Sequence, residues 1–225
     1  MKMKTLSMLV GVGAPLIATG AASADFLGIN VVSKTNEFGL LVCNVYAQFS
    51  NPGDLMIAVA GTPEFPMVVQ VLGGGTFYNH LFGGNTAPST ALINAFPSIA
   101  FDSFVTIGAK VTSSAFPDAT VEAPGLPQIE GTLFATTESA WAVIPDAPQA
   151  DPFNSDYGGP GDGNILIAQF STQLGNVIIG TFYLQYFENG VSGNSVVSFA
   201  HIPTPGALAL LGTAGLIGAR RRRRR

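Results

Sequence analysis

The sequence predicts an all-β fold: a single antiparallel β-sandwich of jelly-roll-like type, flanked by an N-terminal signal peptide and a short C-terminal transmembrane helix. Three observations predict it. Short apolar runs are separated by Gly, Pro, Asn and Asp with no sustained helical period between the ends. Gly (27) and Pro (15) are abundant while charged residues make up only 11%, against roughly 25% in an average soluble chain. Each end couples an apolar stretch to basic residues.

The first segment, residues 1–24, opens with Lys2 and Lys4, continues through an apolar stretch and closes on Ala22-Ser23-Ala24 before Asp25. That order describes a secretory signal peptide cut between Ala24 and Asp25. Signal peptidase and the general export machinery are the partners it implies. Cys43, the one cysteine, has no partner for an intramolecular disulfide, so the exported domain must be held by its core. In LLVCNVYAQFS it alternates with Leu41, Val45, Ala47 and Phe49 and reads as a buried apolar side chain.

Residues 25–201 form the β domain. Strands are expected over 26–33, 40–50, 55–61, 66–72 and 103–111, then over 129–136, 140–144, 164–171, 176–187 and 195–202. Asn189-Gly190 suits a type I′ hairpin turn, which needs positive φ at both central residues. Before it, Phe182, Leu184 and Tyr186 share one strand face and Thr181, Tyr183 and Gln185 the other. With a turn at Gly175-Asn176, residues 164–202 read as a three-stranded meander. A short helix is expected in PSTALINAF, started by Ser89 and stopped before Pro97.

Charge narrows the partners. Arg220–Arg225 hold six of the ten basic residues, whereas all fourteen acids lie between Asp25 and Glu188 with only Lys34 and Lys110 for company. A domain this acidic has no basic patch for a phosphate backbone, so nucleic acid is excluded as a partner.

Catalytic chemistry is sparse. His80, in TFYNHLFGGN, precedes Gly83-Gly84, but no G-x-S-x-G supplies a nucleophile elbow. The run LGGGTF reads as a turn rather than a phosphate cradle. No catalytic residue and no cofactor are assigned. The loop 146–164 offers hard oxygen ligands in Asp151, Asn154, Asp156, Asp162 and Asn164, which makes calcium the one metal to consider, although EF-hand spacing fails. The single Trp141 reads as core; the alternative sets it with Phe153 and Tyr157 as an aromatic platform for a sugar ring.

The final segment, residues 202–225, runs IPTPGALALLGTAGLIGARRRRRR. Its fourteen apolar-rich residues from Gly206 to Ala219, with Leu208, Leu210, Leu211, Leu216 and Ile217 among them, would rise about 21 Å as a helix. A bilayer core is about 30 Å thick, which makes the run a stop in transit rather than a permanent anchor. Arg220, Arg221, Arg222, Arg223, Arg224 and Arg225 would stay on the cytoplasmic side.

Pro203, Thr204, Pro205 and Gly206, the apolar run and the arginines together resemble the PEP-CTERM sorting signal of exosortase substrates. Pro203 and Pro205 match the family's prolines, Gly206 follows as it often does, and Thr204 stands at the family's Glu position. The resemblance implies recognition by a membrane-embedded exosortase-type cysteine peptidase and removal of the tail. Physically, the two prolines disfavour helix and keep the backbone extended and open to cleavage. A looser resemblance, to a stretch recurring in secreted PEP-CTERM proteins, lies in FPSIAFDSFVTIG and carries no activity.

The expected function follows from both ends: an exported, non-enzymatic cell-surface or extracellular-matrix protein, transiently membrane-inserted and then processed. The alternative is a secreted carbohydrate-binding module, calcium-dependent through the 146–164 loop, with extracellular polysaccharide as its partner.

Overall fold

The computed structural model describes residues 26–201, and these are mostly antiparallel β-sheet, as the composition predicts. One sheet has the order β1 (Phe26–Thr35), β2 (Leu40–Phe49), β9 (Asn164–Gln173), β5 (Phe104–Val105). The other runs β6 (Val121–Glu122), β8 (Ser139–Ala142), β3 (Leu55–Gly61), β10 (Val177–Glu188), β4 (Met67–Leu72), β7 (Leu133–Thr136), with β11 (Val191–His201) also paired to β10. The helix α1 spans Thr90–Ala95, where Ser89 accepts the Leu92 amide and Phe96 closes the end before Pro97, as expected. The signal and sorting segments lie outside the described residues, among which no helix is long and apolar enough to cross a membrane.

β3 and β4 are one long strand with an interruption: β3 pairs with Tyr183–Phe187 and β4 with Val177–Thr181 of β10, in the same direction. β8 and β7 repeat the pattern on the other side. Between β3 and β4 the chain loops out through Pro63 and Pro66, which lack ladder donors. Thr62 and Phe65 close that loop with two 3.0 Å hydrogen bonds, and the Phe65 ring stacks on Tyr183 at 5.4 Å. Gly61 is required at the pinch, because a Cβ there would lie 2.1 Å from the Thr136 carbonyl oxygen.

The two sheets share one aromatic core. Phe170 of the first sheet faces Phe182 and Phe199 of the second, with ring centroids 6.4 and 6.3 Å away. Trp141 is fully buried among them, meets Phe182 edge-on at 5.7 Å and donates its indole N–H to the Thr106 carbonyl at 3.0 Å. Leu41, Cys43, Val45, Ala47 and Phe49 all enter this core, as their alternation predicts. The intervening Val42, Asn44 and Tyr46 are buried as well. Their face is covered by a further layer, in which Ala87, Ala109 and Tyr157 pack over Tyr46, Phe104 and Leu166.

The hairpin joining β10 and β11 turns at Asn189 (φ 49) and Gly190 (φ 81), which is the expected type I′ signature. The expected meander over 164–202 is corrected: β9 pairs with β2 and β5, not with β10, so Gly175-Asn176 carries the chain from one sheet to the other. Within 103–111 the strand is short, Phe104–Val105; Thr106 and Gly108 still donate to the Ile167 and Leu166 carbonyls at 3.1 and 2.7 Å before the chain turns at Gly108 (φ 80), where a Cβ would lie 2.0 Å from the Gln149 carbonyl oxygen.

Candidate functional site

A cleft of about 280 Å³ opens beside β5, lined by His80, Gly83, Gly84, Asp102, Gln128 and Glu130 among others. Its position follows from how residues 77–85 leave the sheet. Phe77 bridges to Thr172 and the Tyr78 amide donates to the Ser171 carbonyl at 2.7 Å, so the chain runs beside β9 before it loops away. It returns where Asn85 accepts the Val105 amide at 2.7 Å through its carbonyl.

Two asparagines clamp the opposite wall. Asn79 Nδ2 donates to the Ile129 carbonyl. Asn85 Nδ2 donates to the Pro127 carbonyl at 3.1 Å, and Asn85 Oδ1 accepts the Ile129 amide at 3.2 Å. Both amide side chains thus hold 127–129 in place, and Asn85 Nδ2 also donates to Glu122 Oε2 at 3.3 Å.

Asp102 forms the floor, with only 2% of its surface exposed. Its Oδ1 accepts the His80 amide at 2.8 Å, and Oδ2 lies so close to Gly83 that a Cβ there would come within 1.6 Å of it. Burial pushes its carboxyl up to about 6, against the opposing pull of the His80, Ser103 and Gly84 amides. The His80 imidazole is engaged elsewhere: Nδ1 accepts the Phe82 amide at 3.2 Å. The contact between His80 and Asp102 therefore runs through backbone and does not orient an imidazole for proton transfer. Among the described residues that line the cleft none is Ser, Thr or Cys, the usual nucleophiles.

At the cleft's lip stands an aromatic trio. His80 lies 5.8 Å from Phe82 and 5.7 Å from Phe96, and the two phenyl rings are 4.6 Å apart. Phe82 is 52% exposed and Phe96 39%. α1 positions Phe96, whose amide donates to the Leu92 carbonyl at 2.8 Å as the helix closes. These half-exposed rings, which reach the cleft through His80, provide apolar surface beside hydrogen-bonding groups, Gln128 and Glu130, in the cleft itself.

The residues singled out from sequence fall in separate places. The aromatic-platform alternative for Trp141 is corrected, since the indole is wholly inside the core. The 146–164 loop is folded by its own oxygens. Asp151 Oδ1 accepts the Phe153 amide and Asn154 Oδ1 the Asp156 amide, each at 2.8 Å, and Asp162 Oδ1 accepts from both nitrogens of Asn164. Among the described residues no three His, Cys, Asp or Glu side chains converge as a metal-holding group. LGGGTF is a turn, held by Asn176 Oδ1 on the Gly75 amide at 3.2 Å.

Pro203, Thr204, Pro205, Gly206, the apolar run, the arginines, and Ala22, Ala24 and Asp25 lie outside the described residues. The sequence marks His80 only as a polar loop residue, and nothing in it marks Phe82, Phe96 or Asp102. No protein-family model and no curated protein matches this chain.

Proposed function

We propose that this chain is an exported, non-enzymatic surface or extracellular-matrix protein, sorted and trimmed through its C-terminal segment by an exosortase-type peptidase. The observation that carries the reading is the two ends of the sequence taken together: Lys2 and Lys4 with an apolar stretch closing on Ala22-Ser23-Ala24, and Pro203-Thr204-Pro205-Gly206 followed by an apolar run and six arginines. The two antiparallel sheets around one core support the sandwich reading, jelly-roll-like in that β2 to β3 and β9 to β10 each cross between sheets. Replacement of Pro203 and Pro205 together by Ala in the native host tests it: the variant should retain its arginine end, read by intact mass, while the parent loses it.

One observation favours a second reading, the secreted carbohydrate-binding module. The exposed Phe82 and Phe96 rings stand beside the His80 cleft, as sugar faces require, so the site for polysaccharide moves there from Trp141. Retention of the protein on insoluble polysaccharide, and its loss in Phe82→Ala, tests this reading.

A further inference from the structure

The described chain ends at one end of the sandwich, and that end differs in chemistry from the other. β11 finishes with His201 opposite Ile178, while Val177 stands opposite Leu72. In the facing sheet Leu40 pairs with Gln173, so the turns 36–39, 72–76 and 173–176 cluster beside the exit of the chain. They are knitted together: Thr76 donates its amide to Gln173 Oε1 at 3.3 Å, and Gly75 donates to Asn176 Oδ1 at 3.2 Å. The 36–39 turn is held by Asn36 Oδ1, which accepts the Phe38 and Leu40 amides at 3.0 and 2.9 Å.

Each of these three turns offers an apolar side chain to solvent: Phe38 (53% exposed), Leu72 (39%) and Leu174 (53%). Phe38 is backed by Phe101 at 5.6 Å, which fixes its ring outward. Glu37 is the single carboxylate in the three turns, and Glu130 is the one beside them, next to Gly131 whose carbonyl takes the Phe77 amide. The far end is the reverse. Asp54 binds the Asn51 and Asn189 amides there, Glu188 accepts the Phe26 amide at 2.8 Å, and Asp162 sits beside Gly163, whose carbonyl takes the Phe49 amide. Apolar side chains are exposed at that end too, but Leu27 and Val191 stand among these carboxylates and Ile144 lies two residues from Asp146.

Length then fixes which end meets the membrane. Only residues 202–205 separate His201 from the apolar run that begins at Gly206, and four residues reach at most about 14 Å when fully extended. The far end lies roughly 35 Å away along β10. We propose that the end bearing Phe38, Leu72 and Leu174 rests against the lipid surface while the chain is held by its apolar run, with the acidic end pointing away. This rests on the sorting reading above, because it needs the run to sit in the bilayer. The partner is the bilayer itself: apolar side chains enter the headgroup boundary, and an end with few carboxylates escapes repulsion by anionic lipid. The consequence is orientation, in that the Pro203-Thr204-Pro205 segment is kept at the membrane face where a membrane-embedded peptidase works.

The test uses the full chain with vesicles of phosphatidylethanolamine and phosphatidylglycerol carrying brominated acyl chains, which quench a nearby indole. Trp141 supplies a constant, buried background. Leu174→Trp and, independently, Phe38→Trp should show blue-shifted, quenched emission, whereas Val191→Trp at the far end should show neither. Vesicle-bound protein in which all three indoles quench alike, or none does, overturns the docking and leaves the sorting reading standing. Protein that fails to float with vesicles overturns both, because the apolar run then does not hold the chain.

Discussion

Asp102 Oδ1 accepts the backbone N–H of His80 at 2.8 Å, which ties the floor of the cleft to the loop that carries its aromatic lip. The same carboxyl is buried enough to be raised from 3.8 to about 6. A folded-state value above the unfolded one means that the native protein binds this proton more tightly. Asp102 therefore favours folding most below about pH 4, and that contribution is lost as pH rises to about 6, by up to about 3 kcal/mol at about 1.4 kcal/mol per unit. Asp102→Asn removes the titration. Chemical denaturation at several pH values should show parent stability falling relative to the variant between pH 4 and 6; a constant difference would refute the assignment.

Cys43 is fully buried and its thiol is pushed up to about 12 by that burial. The thiolate is the reactive form. A thiol-specific reagent at pH 8 should leave the native protein unlabelled and modify one cysteine per chain after denaturation. Fast labelling of folded protein would contradict the core packing.

The loop from Asp151 to Asn164 uses its oxygens to cap its own amides. A cation would have to displace those bonds to gather six or more oxygens. Millimolar calcium is expected to leave the melting temperature unchanged. A rise would show binding to the folded state and restore the calcium-dependent reading.

If polysaccharide is the ligand, its ring stacks at the cleft lip. Phe82→Ala, at an exposed position, should keep unfolding stability within about 1 kcal/mol of the parent while retention on polysaccharide falls. Trp141→Phe should do the opposite: the Thr106 carbonyl loses its indole donor, costing about 1–3 kcal/mol, and retention persists. Retention that survives Phe82→Ala would remove the cleft lip from the account.

Much of the strand pattern is legible because it is local. Alternation along 177–188 and the Asn189-Gly190 turn state their own geometry, and Ser89 and Pro97 bracket α1. What is not local was hidden. Gly175-Asn176 marks a turn, but nothing in it says whether the next strand stays in the sheet or crosses to the facing one. β2 and β9 are buried on both faces by a layer drawn from distant segments, which alternation cannot register. The site shows the same limit. His80 stands out as one of two histidines, whereas Phe82 and Phe96 look like core until the fold leaves them on the surface. Asp102 gains its character only from burial under a loop that begins more than twenty residues earlier.

On the proposed processing, the working protein is the segment between the two end signals. Mass spectrometry of the protein isolated from the surface or matrix of its native host measures this directly. The expected result is a mature chain that begins at Asp25 and lacks everything beyond the Pro203–Pro205 region, the arginines included. Mature surface protein that still ends in Arg220–Arg225 would contradict it.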